Sequence, residues 1–137
     1  MQTIFFYGTL LSCLRIKTNL FSVEQEKELI FLGNGSISGK LYDNGEYPCF
    51  IFLKNHAKVR GEIYKIKKSS FILPLLDNYE DFFPDNFPKS LFIRRERPVF
   101  FEKKFIFSGV YEWNRPVGTL QEIKSGNYLN FLKQKSL

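Results

Sequence analysis

The sequence TIFFYGTL, residues 3–10, has the greatest influence on the fold. Residues 3–7 are β-branched or aromatic, which favours a buried strand. Gly8 follows at once, and a glycine after such a run indicates a tight turn. Successive backbone N–H groups in a turn of this kind can form a concavity that binds anions, including carboxylates. An ordinary tight turn explains the same residues, so the turn alone does not identify a function.

The length and composition are those of one globular domain. The chain has 137 residues and a mass of 16.2 kDa, and we expect a single domain over residues 1–137. Hydrophobic residues make up 44% and charged residues 25%, which excludes disordered and fibrous classes. No apolar run reaches the roughly 18 residues of a membrane span, and no basic residue precedes the N-terminal apolar stretch. We therefore expect a cytoplasmic protein with no membrane partner.

Most of the remaining sequence has the pattern of β-strands. Apolar and polar residues alternate over residues 59–66, which predicts a half-buried strand. Further strands are expected over residues 28–42, 47–53, 91–101 and 104–113. The apolar spacing of residues 71–79 predicts a helix capped by Ser69 and Ser70. About six strands in runs and two short helices indicate an α+β fold with a mainly antiparallel sheet or small barrel.

The positive charge permits an anionic partner without requiring one. The net charge is +6, and the basic residues gather in residues 54–68 and 89–104. Both stretches alternate charges with apolar residues, as the outer faces of strands do. A nucleic-acid-binding module would need these charges on one contiguous face with exposed rings between them. We expect no nucleic-acid partner and keep that module as the alternative from another class.

Cysteine and histidine are too few for a conventional metal centre. Cys13 and Cys49 lie far apart in the sequence, and His56 is the only histidine. No nucleophile motif accompanies His56, so a catalytic triad is not indicated. We therefore expect neither a metal nor a cofactor.

A second candidate site is LLDNYE, residues 75–80, at the end of the expected helix. Asp77 and Glu80 are three residues apart and lie on nearby faces of a helix. The helix dipole disfavours a carboxylate at the C-terminal end, and Phe82 and Phe83 can desolvate it. Both effects raise the pKa of Glu80 towards the range useful for proton transfer. A solvated acidic helix end is the alternative interpretation.

Six segments in order along the chain carry a family resemblance. They are a YGTL-type turn, G-x-L-Y-D-x-G-x-Y-P, V-x-G-E-x-Y, L-D-x-x-E, a late strand containing G-V-Y, and S-G-N-Y. The matching residues are 7–10, 39–48, 59–64, 76–80, 109–111 and 125–128. With these segments the chain resembles the γ-glutamylcyclotransferase-like family, also called the AIG2-like family, over nearly its whole length.

The resemblance implies a small β-barrel with flanking short helices and a cofactor-free reaction. The free α-amine of a small γ-glutamyl substrate attacks its own γ-carbonyl, which releases an amine or amino acid and leaves 5-oxoproline. The resemblance assigns proton transfer to Glu80 as catalytic acid/base. It assigns binding of the substrate α-carboxylate to the turn after Tyr7, through the backbone N–H groups of Gly8, Thr9 and Leu10. We further expect Tyr42 or Tyr111 to line the pocket.

Two residues depart from the family pattern. Asp81 stands where a glycine usually follows the catalytic glutamate, and Phe92 stands where a tyrosine is often found. Asp81 adds a second negative charge beside Glu80, and Phe92 removes a hydroxyl contact. A non-catalytic member that binds a small amino-acid-like ligand is therefore the second expectation. The residues specify neither the γ-glutamyl compound nor the oligomeric state.

Overall fold

The computed structural model describes residues 2–67 and 70–136. The strands in this part of the chain are β1 (Gln2–Phe6), β2 (Ile30–Asp43), β3 (Pro48–Phe52), β4 (Lys58–Ile66), β5 (Phe92–Phe101), β6 (Lys104–Trp113) and β7 (Gln121–Glu122). The helices are α1 (Ser12–Thr18), α2 (Val23–Glu26), α3 (Ile72–Tyr79) and α4 (Tyr128–Lys135), and Phe87–Lys89 form one 3-10 turn. None of the helices described is long and apolar enough to cross a membrane.

Five strands close into a barrel in the order β2-β4-β1-β6-β5, with a bridge between Ser36 of β2 and Phe100 of β5 completing the ring. The β1–β6 pair is parallel, and the other four pairs are antiparallel. β3 and β7 extend the sheet by pairing with β2. The expected α+β class and small, mainly antiparallel barrel are therefore confirmed.

The two faces of β1 are buried in different parts of the core. Phe5 lies in the barrel interior with side chains from the other four strands, including Ile37, Ile63, Val99 and Val110. The alternate residues Ile4 and Phe6 lie on the outer face, in a second cluster that includes residues from β4, α3, β5 and β6. Because both faces are covered, the last three residues of β1 form an unbroken apolar run, where a half-exposed strand would alternate.

The structure contains more strands and helices than the sequence pattern predicted. The four-residue helix α2 has no apolar periodicity, and a capping box between Ser22 and Gln25 starts it. β7 has only two residues, too few for a detectable pattern. At the start of α3, the hydroxyl of Ser70 accepts a hydrogen bond from the N–H of Ile72, at 3.1 Å. The other expected cap, Ser69, lies outside the described residues.

The end of α3 has the hydrogen bonds of a Schellman motif. Phe82 N–H donates to the carbonyl of Asp77 at 2.8 Å, and Asp81 N–H donates to the carbonyl of Asn78 at 3.3 Å. Asp81 has a φ of 52°, the left-handed conformation this motif requires. The motif fixes the direction of the chain immediately after Glu80.

Close packing between β1 and β4 depends on Gly61. A Cβ at this position lies 2.2 Å from the carbonyl oxygen of Phe6 and 2.5 Å from the ring of Phe5. Gly61→Ala should therefore force the strands apart and lower the free energy of unfolding by about 2 kcal/mol or more, as measured by urea denaturation.

Gly118 provides the matched control, because a Cβ there meets no atom within 4 Å. Gly118→Ala should change the free energy of unfolding by no more than about 0.5 kcal/mol. Equal effects of the two substitutions would contradict the packing role of Gly61.

Candidate active site

A cavity of about 220 Å³ lies where the end of β1, the start of β3 and the end of α3 meet β5 and β6. Residues from each of these regions line it: Phe5, Phe6, Tyr7, Gly8, Thr9, Leu10, Tyr47, Pro48, Tyr79, Glu80, Asp81, Leu91, Phe92 and Tyr111. Six of the seven expected substrate-contacting and catalytic residues thus line one cavity. The exception is Tyr42.

The turn after β1 presents unpaired donors to the cavity. Leu11 N–H donates to the carbonyl of Gly8 at 3.0 Å, which closes the turn. Within the described residues, the N–H groups of Gly8, Thr9 and Leu10 donate to no protein acceptor. Three successive free N–H groups in a turn that lines the cavity are what the expected anion-binding concavity requires.

Gly8 has a packing role in addition to the tight turn that its sequence context indicates. A Cβ at Gly8 lies 2.5 Å from Cγ of Pro48 and 3.0 Å from its Cδ. Pro48 begins β3 and lines the cavity. A side chain at Gly8 therefore collides with Pro48, another residue of the cavity wall.

Glu80 lies at the C-terminal end of α3, and its side chain is half-buried. Among the described residues, no group donates a hydrogen bond to its carboxylate. Burial raises the pKa of Glu80 to about 8, and the nearby charge of Asp81 adds to the increase. The direction agrees with the expectation from sequence, which also placed the second negative charge of Asp81 beside Glu80.

A hydrogen-bonded network supports the cavity from behind. The Tyr111 hydroxyl donates to Oδ1 of Asp77 at 2.6 Å, and Arg94 donates to both carboxylate oxygens of Asp77 at 2.9 and 3.2 Å. The Tyr7 hydroxyl donates to the carbonyl of Tyr111 at 2.6 Å. Burial, with the adjacent Asp77 carboxylate, raises the pKa of Tyr111. Tyr7 and Tyr111 therefore stay neutral and hold fixed positions in the wall.

One hydrogen bond joins the turn directly to the helix end. Thr9 Oγ1 and the Tyr79 hydroxyl are 2.9 Å apart. Tyr79 precedes Glu80, so this bond sets the position of the glutamate relative to the free N–H groups of the turn. Nothing in the sequence pairs Thr9 with Tyr79, which are 70 positions apart.

Tyr42 does not line the cavity, and the register of β2 and β3 explains why. Asp43 pairs with Pro48 and Tyr42 pairs with Cys49. Successive residues of a strand point to opposite faces, and Pro48 points into the cavity. The side chain of Tyr42 therefore points away from it. Tyr47 lines the wall instead, with its ring centroid 5.7 Å from that of Phe92.

A second cavity, of about 370 Å³, brings the two basic stretches of the sequence together. It is lined by Ser36, Ser38, Phe52, Lys54, Asn55, His56, Lys58, Pro98, Phe100 and Phe105. The Lys58 ammonium lies 4.7 Å from the ring centroid of Phe100. Nearby, Arg97 donates to both carboxylate oxygens of Glu112 at 2.6 and 3.0 Å. The guanidinium of Arg97 is therefore already paired with a carboxylate of the protein.

The first cavity combines an anion cradle with one carboxyl group of raised pKa. The cradle can hold a carboxylate through backbone N–H groups, and Glu80 can accept and return a proton near neutral pH. The walls are aromatic or aliphatic, and none of the described lining residues is a lysine, arginine or histidine. These features suit a small zwitterionic ligand and proton-transfer chemistry on it.

Comparison with known proteins agrees with the fold. The family described as "Gamma-glutamyl cyclotransferase, AIG2-like" matches residues 4–130. The chain therefore belongs to this family. No curated protein matches the sequence.

Several solved structures share the fold. An AIG2-like protein from Mus musculus has a TM-score of 0.61 and 27% identity, covering 82% of this chain and 76% of the mouse chain. Protein ytfP from Escherichia coli has a TM-score of 0.65 and 24% identity, covering 95% and 98%. YkqA from Bacillus subtilis has a TM-score of 0.67 and 17% identity, and the match covers 99% of this chain and 43% of YkqA. The chain thus spans less than half the length of YkqA.

The raised pKa of Glu80 predicts a pH-dependent cost to stability. The folded state holds the Glu80 proton up to about pH 8, whereas the ordinary value is 4.5. The contribution of Glu80 to the free energy of unfolding is therefore fully present at low pH, and it falls as pH rises from about 4.5 to about 8. Glu80→Gln cannot titrate, so its free energy of unfolding lacks this fall. Its free energy of unfolding relative to wild type should therefore increase between about pH 5 and about pH 8 in urea titrations. A difference that does not change with pH would contradict the raised pKa.

Proposed function

We propose that this protein is a γ-glutamyl cyclotransferase that converts a γ-glutamyl amine or γ-glutamyl amino acid into 5-oxoproline and a free amine. The supporting observation is that Glu80 and the three free N–H groups of residues 8–10 line one cavity. Family membership supports the same assignment. The reaction is a proposal about this chain's own residues.

In the proposed complex the substrate α-carboxylate accepts hydrogen bonds from the N–H groups of Gly8, Thr9 and Leu10. These donors are already oriented by the closed turn, so binding requires little ordering of the protein. The α-ammonium then lies on the side of the cavity that holds Glu80. An ammonium beside this carboxyl stabilises its ionised form, because opposite charges attract strongly in a poorly solvated site.

The proposed reaction needs only proton transfers and one exchange of C–N bonds. Glu80 removes a proton from the α-ammonium, and the neutral amine attacks the γ-carbonyl carbon. Glu80 then returns the proton to the nitrogen of the leaving group as the original γ-amide bond breaks. The ring nitrogen loses its second proton to the departing amine, which leaves as an ammonium ion. Ring closure joins two groups of the same molecule, so the main task of the walls is to hold the reactive conformer. The fixed rings of Tyr7, Phe92 and Tyr111 suit that task.

Two alternatives have weaker support. A non-catalytic binder tolerates a Glu80 that faces solvent, whereas here Glu80 lines the cavity. The second cavity gives the nucleic-acid module some support, because Lys54 and Lys58 of one basic stretch meet Phe100 of the other there. Arginines are the better groups for planar recognition of nucleic acids, and Arg94 and Arg97 each bind a carboxylate within the protein. We therefore rank the enzyme first and propose no nucleic-acid partner.

We also propose a cytoplasmic location. Cys13 is exposed and Cys49 is buried, and both are free thiols in the structure. Free thiols suit a reducing compartment. Residues 4, 5, 6 and 10 pack into the core, which leaves the apolar N-terminal stretch with a structural role.

Substitution of Glu80 tests the proposed proton transfer. Glu80→Gln preserves the size and hydrogen-bonding capacity of the side chain and removes its basicity. Turnover should fall by roughly 10²- to 10⁴-fold, the usual range for loss of a general base, with little change in substrate binding. The assay measures 5-oxoproline release from a panel of γ-glutamyl amines and dipeptides, and calorimetry measures binding.

Two results would count against this mechanism. Equal release of 5-oxoproline by wild type and Glu80→Gln would remove Glu80 from the chemistry. A wild-type protein that binds members of the panel and releases no 5-oxoproline from any of them would favour the non-catalytic binder.

The anchor is tested by substitution of Gly8 together with its packing partner. Gly8→Ala places a Cβ against Pro48, displaces the turn and should raise KM by roughly 10- to 100-fold. Gly8→Ala combined with Pro48→Ala removes the colliding ring and should recover part of the loss. The single Pro48→Ala variant is the control for the ring itself. A double variant no better than Gly8→Ala would place the anchor elsewhere.

A further inference from the structure

Asp81 lines the cavity and remains exposed, so this residue stands at the rim, next to Glu80 in the chain. Among the described residues it has no salt-bridge partner. Its recorded contacts within the fold are made by its backbone: its N–H donates to Asn78, and its carbonyl accepts from Leu91 at 2.9 Å. Any residue can make these two bonds, so they do not explain an aspartate.

An aspartate at this position carries two energetic costs. The φ of 52° favours glycine, because a Cβ in the left-handed conformation crowds the following carbonyl. The negative charge also disfavours ionisation of Glu80. Neither effect stabilises the fold, and the side chain has no salt-bridge partner among the described residues. A partner for its charge can come from a ligand in the cavity.

The character of the cavity indicates what that partner is. The two ionisable carboxyls on the wall are Glu80 and Asp81, and no cationic residue is among the described lining residues. Near the same rim the walls are apolar or aromatic, from Leu91, Phe92 and Tyr79. Apolar walls beside a lone carboxylate suit a short alkyl chain that ends in a cation.

We propose that Asp81 determines substrate specificity by selecting γ-glutamyl amines whose leaving group carries a second positive charge, as a γ-glutamylated diamine does. This inference rests on the proposed cyclotransferase function. The α-amino-acid end occupies the free N–H groups and Glu80, and the second ammonium of the departing diamine lies at the Asp81 carboxylate. An anionic leaving group is repelled from the same rim.

The test compares two substrates of equal size. They are γ-glutamyl-1,4-diaminobutane and γ-glutamyl-n-pentylamide, in which a methyl group replaces the distal ammonium. Wild type should have a kcat/KM about 3- to 10-fold higher for the diamine compound, the range expected for one partly solvated charge pair. The preference should shrink as salt is added, because salt screens exposed charges.

The ratio of the two kcat/KM values isolates the role of Asp81. Asp81→Asn retains a residue that tolerates the left-handed conformation and removes the charge, so the ratio should fall to about one. A changed pKa of Glu80 affects both substrates together and cancels in the ratio. Asp85→Asn is the matched control, because Asp85 is an exposed acid outside the cavity lining, and its ratio should equal that of wild type.

Each outcome has a distinct meaning. Turnover of both compounds at equal kcat/KM by wild type overturns the specificity and leaves the cyclotransferase function intact. A preference that survives in Asp81→Asn assigns the selection to another residue and also overturns the inference. Absence of 5-oxoproline from both compounds, with release from γ-glutamyl dipeptides, overturns the diamine class alone. Absence from every compound overturns the proposed function and the inference with it.

Discussion

The Asp77 carboxylate is the contact on which the geometry of the cavity depends. Arg94 of β5 and Tyr111 of β6 are paired opposite each other in the barrel, and both donate to Asp77 of α3. The carbonyl of the same residue accepts the N–H of Phe82, which closes the end of the helix. One residue thus holds the helix end against two strands. A half-buried ion pair is favourable only when its hydrogen bonds are well formed, and both oxygens of Asp77 are used here.

The position of Glu80, the candidate catalytic residue, depends on that of Asp77. Glu80 lies three residues further along, at a helix end that the Schellman motif fixes. Its carboxyl has no donor among the described residues, so burial acts on it without compensation and raises its pKa. On the opposite wall, β1 is held between β4 and β6 with both faces buried, and its last residues carry the turn. The barrel therefore fixes the free N–H groups, and the helix end fixes the carboxyl.

The sequence predicts the parts of this arrangement that depend on local pattern. The apolar run of residues 3–7, the alternation over residues 59–66 and the acidic helix end each have a characteristic spacing, and the structure contains all three elements. What the sequence does not contain is the register between distant segments. Whether Tyr42 faces the cavity depends on a single pairing, Asp43 with Pro48, and a shift of one residue reverses its face. The close approach of Gly8 to Pro48 and the Thr9–Tyr79 bond depend in the same way on contacts across the fold.

The pKa of Glu80 suits the proton transfers of the proposed reaction. Burial and the charge of Asp81 raise the pKa of the carboxyl to about 8. A carboxyl whose pKa lies nearer to that of an amine exchanges a proton with it at a smaller free-energy cost. This smaller cost matters for a single residue that must first remove a proton from the attacking amine and then deliver it to the leaving nitrogen. A solvated glutamate, with a pKa near 4.3, would be too weak a base for the first step. The missing hydrogen-bond donor at Glu80 thus keeps the carboxyl basic enough to act as both base and acid.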